Sequence, residues 1–146
     1  MQTNWIGLSF GVIGIIALAA YFREGYQRKH ARFAARKDLS LAEIYDHYFV
    51  QTEVSKEKFD ELWSEVAGTL ELPPGKLRPT DSFAEELYPA KGYEYDDQVY
   101  TLGHIAQRHA RQMNIEQAEV DKIKTIFDYV VVFGVARPNK KFLRIK

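Results

Sequence analysis

Four histidines, a knot of carboxylates and a few hydroxyls are the groups in this 146-residue chain that invite a chemical reading, and there is no cysteine. The missing thiol removes disulfides, thiolate zinc sites and cysteine nucleophiles at once. His104 and His109 are five apart, which on a helix sets them on different faces and away from a shared metal ion, while His30 and His47 have no ligand cluster beside them. Glu94, Asp96 and Asp97 carry enough charge for a divalent cation, yet carboxylates in front of a helix are stabilised by its positive end without any metal. Their simpler role is capping. No Gly-rich phosphate loop, nucleophile elbow or HExxH motif is present. These residue types predict no catalytic group, no metal and no cofactor, hence a protein that is not an enzyme.

The elements that must carry these groups are marked by charge. The net charge is zero, but residues 1–37 hold six basic and one acidic residue, residues 38–134 nine basic and nineteen acidic, and residues 135–146 five basic and none acidic. A domain at −10 repels phosphate, which argues against nucleic acid as a partner. The stretch from Trp5 to Phe22 contains no charged residue, and its eighteen residues as a helix would span about 27 Å, close to the hydrocarbon core of a bilayer. Four segments are therefore predicted: a transmembrane anchor over 1–22, a basic juxtamembrane helix over 23–37, an acidic helical domain over 38–134 and a basic tail over 135–146. Trp5, Tyr21 and Phe22 would sit at the two interfaces, and Arg23, Arg28 and Lys29 would hold the cytoplasmic side. That orientation puts the N-terminus outside and the C-terminal domain in the cytoplasm of a bacterial inner membrane, with the lipid bilayer as one partner. A cleaved signal peptide competes through Ala17-Leu18-Ala19, but its positive charge should precede the apolar run rather than follow it. Gly7 and Gly11 have the GxxxG spacing of a weak homodimer contact.

Within the acidic domain the periodicity is helical. Ser40 with Glu43 forms a capping-box pattern ahead of a helix over 41–50. Ser55 precedes a stripe of Phe59, Leu62, Trp63, Val66, Ala67 and Leu70, which ends at Pro73-Pro74-Gly75. After a loop, a helix capped by Asp96 or Asp97 turns Val99, Leu102, Ala106, Ala110 and Met113 inward and stops at Asn114. Val120 and Ile123 mark a short element. The run from Tyr129 to Phe133 is β-prone taken alone, but it has no second strand to pair with and reads as a last helix ending at Gly134.

The stretch from Leu70 to Leu87, LELPPGKLRPTDSFAEEL, with the spacing of Leu70, Leu72, Leu77, Pro79, Ser82-Phe83 and Leu87, and the later Asp121 to Tyr129, resembles the acyl carrier proteins over about residues 55–133. The resemblance implies an all-α fold, here a single transmembrane helix followed by a carrier-like four-helix bundle. It implies a phosphopantetheine serine at the start of a helix that instead reads Gln98-Val99-Tyr100, so Val99 stands at the acceptor position and no prosthetic group is expected. That departure points to a divergent bacterial member. By the same resemblance Glu94, Tyr95, Asp96, Asp97 and Tyr100 would form the surface that meets a protein partner with a basic patch. The expected function is a membrane-anchored, non-catalytic interaction module on the cytoplasmic face. An accessory carrier-like component of lipid or secondary-metabolite biosynthesis is the alternative, and a toxin immunity protein a more distant one.

Overall fold

A computed structural model describes residues 5–88 and 98–135; within the first helix, the side chains of residues 5–14, 16, 22, 25, 26 and 28 lie outside that description. The described residues form six α-helices and one 3-10 turn, with no strand: α1 Trp5–Ala34, α2 Leu41–Tyr48, α3 Lys56–Thr69, the turn Pro74–Lys76, α4 Gln98–Met113, α5 Gln117–Val120 and α6 Ile126–Gly134. Two isolated antiparallel bridges, Val54 with Val135 and Ser82 with Thr125, pin the ends of α6 to earlier loops.

The local sequence explains these elements. Ser40 and Glu43 close the expected capping box on α2, Ser55 accepts from the Lys58 amide at the start of α3, and Thr125 with Asp128 closes a second box on α6. Asn114, at φ 55°, ends α4 in the left-handed region that asparagine tolerates. The β-prone run Tyr129 to Phe133 is helical, because Thr125 and Asp128 start the helix and α3 and α4 cover it.

α3 is the central post and packs against α2, the 3-10 turn, α4 and α6. The whole expected stripe from Phe59 to Leu70 is buried. Phe49 stacks on Phe127 with centroids 5.1 Å apart and meets Phe59 at 4.9 Å, while Phe59 lies 5.3 Å from Trp63. Trp63 has no exposed surface, and its indole N–H donates to the Pro74 carbonyl at 3.1 Å. Gly75 is required at that turn, because a Cβ there would overlap the Asp38 carboxylate and the Leu39 carbonyl.

The N-terminal expectation needs correction. Among the described residues no helix is long and apolar enough to cross a membrane, which overturns the transmembrane helix assigned to 1–22. The boundary placed after Phe22 falls inside one continuous 30-residue helix. Its last turns are built into the body: Phe33 is 1% exposed, Lys29 donates to the Gln98 side-chain oxygen at 2.6 Å, and Arg32 donates to the Tyr88 carbonyl at 3.2 Å. Charges that read as headgroup-binding in the sequence are here bound to the rest of the chain. The inner-membrane placement rested on the same span and has no other support among the described residues. The basic tail beyond Val135 lies outside the described residues.

Candidate functional site

The end of α1 is fastened by a buried ion pair. Asp81 is 3% exposed, and its carboxylate accepts from the Arg36 guanidinium at 2.7 and 2.8 Å and from the Arg78 backbone N–H at 2.7 Å. Arg36 also donates to the Lys76 carbonyl and lies 4.5 Å over the Phe33 ring. Lys76 returns the bond, donating to the carbonyls of Ala34 and Arg36 at the end of α1. The Asp81 carbonyl accepts from Ile126 N–H, so one loop grips both α1 and α6.

A second polar cluster joins α3, α4 and α6. Tyr129 donates to Glu65 Oε1 at 2.7 Å, and His109 Nε2 lies 3.0 and 3.1 Å from the two Glu65 oxygens. Burial, then the hydrogen bond and charge of Glu65, push the Tyr129 phenol far above its ordinary value. His109 is thus a partnered histidine at the bundle wall, facing Phe133 at 5.4 Å. Its partner Glu65 is forty-four residues away, which is why the sequence does not reveal it.

Around the expected acceptor position the helix wall is apolar. Val99 is half-buried and helps to line a cavity of about 250 Å³ with Phe83, Leu102, Ala106, Val120, Ile123 and Tyr129. Gly103, Gln107 and Asp121 complete it. Ser82, the nearest hydroxyl in the resembling stretch, is part of a turn, its Oγ accepting from Ala84 N–H and its own N–H donating to Glu86. That bond holds the Glu86 carboxyl below the usual carboxylate range.

The residues assigned to a partner surface divide in two. Glu94, Tyr95, Asp96 and Asp97 lie outside the described residues. Tyr100 is 70% exposed on the first turn of α4, with its ring edge-on to His104 at 4.4 Å. Of the residues assigned to membrane anchoring, Tyr21 and Arg23 are exposed, and the side chains of Trp5, Phe22 and Arg28 lie outside the description, as do those of Gly7 and Gly11. Lys29 is corrected: it is 2% exposed and bonded to Gln98, so it cannot serve a bilayer surface. No group of three or more metal-ligating side chains is present among the described residues.

Fold and site together define an all-α helical body with a clasped N-terminal helix. No family model matches the chain, and neither curated proteins nor solved structures match it.

Proposed function

We propose that this chain is a non-catalytic, carrier-like interaction module whose partner is a protein with a basic surface, met at the start of α4. The observation that carries this reading is Tyr100, a large aromatic ring left 70% exposed and braced edge-on by His104. Exposed tyrosines of this kind supply contact area at small conformational cost and are enriched in interface hot spots. The acidic run Glu94, Asp96 and Asp97 directly precedes it in sequence and supplies the charge that would steer a basic partner. Val99 supports the non-catalytic half of the reading, since an aliphatic side chain facing a cavity offers no ester-forming oxygen where the resemblance implies one.

Site-specific photo-cross-linking in the native cell tests the proposal. A photoreactive phenylalanine at position 100 is expected to capture one basic protein, and one at the exposed Gln112, at the other end of α4, is not. Capture lost at raised salt would fit the charge steering. Equal capture from both positions, or none from position 100, would refute the surface.

A further inference from the structure

The cavity behind Val99 has no part in a contact surface, yet its wall contains a residue that no structural demand explains. Gly103 sits inside α4, where glycine is destabilising relative to alanine. No backbone or side chain approaches it, and a Cβ added there would meet nothing within 4 Å. Gly75 and Gly134 differ, for a Cβ on either would collide with a neighbour. What the missing side chain at 103 does is leave space. The space amounts to about 250 Å³, more than the roughly 150 Å³ that accommodates a benzene ring in a protein interior.

Its chemistry is asymmetric. Phe83, Val99, Leu102, Ala106, Val120 and Ile123 present hydrocarbon. Tyr129 contributes its ring, because its hydroxyl is engaged by Glu65. The polar side chains of the wall reduce to Gln107 and the exposed Asp121, one of whose oxygens already accepts from Gln117 at 2.8 Å. A carboxylate at the rim of an apolar hole favours a cationic, hydrogen-bond-donating head and disfavours an anionic one.

From these features we infer that the cavity binds a small amphiphile without covalent attachment, its single ring or short alkyl chain held between α4, α5 and α6 and its amine head at Asp121. This site lies beyond the partner surface proposed above and does not depend on it.

The test uses the full chain with benzylamine and hexylamine against benzoate and hexanoate, read by NMR shifts at Gly103 and at the Val99, Leu102, Val120 and Ile123 methyls. The amines are expected to bind about fivefold more tightly than the matched carboxylates, the size of an exposed ion pair. Asp121→Asn should erase that preference while leaving chain binding in place. Gly103→Leu should fill the cavity and abolish binding with an unchanged or raised melting temperature. Gly103→Ala, which adds one methyl in open space, keeps the comparison valid if leucine disturbs the helix, and should weaken binding by an intermediate factor. Absence of binding by both amines, equal binding of amine and carboxylate, or undiminished binding to a folded Gly103→Leu variant would overturn the inference.

Discussion

Tyr129 shows how one buried hydroxyl ties three helices together. Its phenol is raised above the ordinary value of about 10 by burial and by Glu65. A group whose folded value is raised stabilises the fold fully below the unfolded value, and that contribution is lost as pH rises through the folded one. Stability should therefore fall above about pH 10 as the unfolded chain gains tyrosinate. Tyr129→Phe removes the bond to Glu65 and should cost about 1 kcal/mol near neutral pH. It should also flatten the alkaline limb, as followed by denaturant titration between pH 8 and 11. An alkaline limb unchanged in the variant would mean that other tyrosines control it. None of this was legible in the sequence, where Tyr129 belongs to a β-prone run and Glu65 and His109 are ordinary polar positions of two amphipathic helices.

At the scale of elements, local signals wrote most of the body. Ser40, Ser55 and Thr125 start helices α2, α3 and α6 because their side-chain oxygens accept backbone N–H groups that a first turn leaves without partners. On α2 the return bond from Ser40 to Glu43 holds the Glu43 carboxyl below its ordinary range. For a depressed carboxyl the stabilisation is present above the unfolded value and lost as pH falls through the folded one, so the box should open in acid. An NMR titration should find Glu43 below the usual glutamate midpoint, and Ser40→Ala should return it toward that midpoint. A normal midpoint in the wild-type chain would contradict the box. The stripe of α3 was equally readable, since burial at i, i+3, i+4 and i+7 follows from helix geometry alone. The cavity was not, because Gly103 in a sequence looks like any helix glycine until its empty surroundings are known. Phe83, at the cavity wall, is only partly buried although its place beside Ser82 suggested a full anchor.

Over the whole molecule the main revision concerns α1. Linear charge counting separated a basic collar from an acidic body, whereas the fold joins them: Lys29, Arg32 and Arg36 reach partners 69, 56 and 45 residues away. Periodicity cannot reveal such pairs, since their register is set by how α1 lies across the loop between α3 and α4. Asp81→Ala would leave the Arg36 guanidinium and the Arg78 amide without their acceptor, and breaking a buried pair in this way costs about 3–5 kcal/mol. Hydrogen exchange should then rise along residues 29–36 before it rises in α3. Unaltered protection there would show that the clasp does not hold the helix. The central claim is that this helical body works by contact and carries no covalent arm. Intact mass of the full chain after incubation with coenzyme A and a broad-specificity phosphopantetheinyl transferase tests it most directly: the expected mass is unchanged, and an added phosphopantetheine would contradict it.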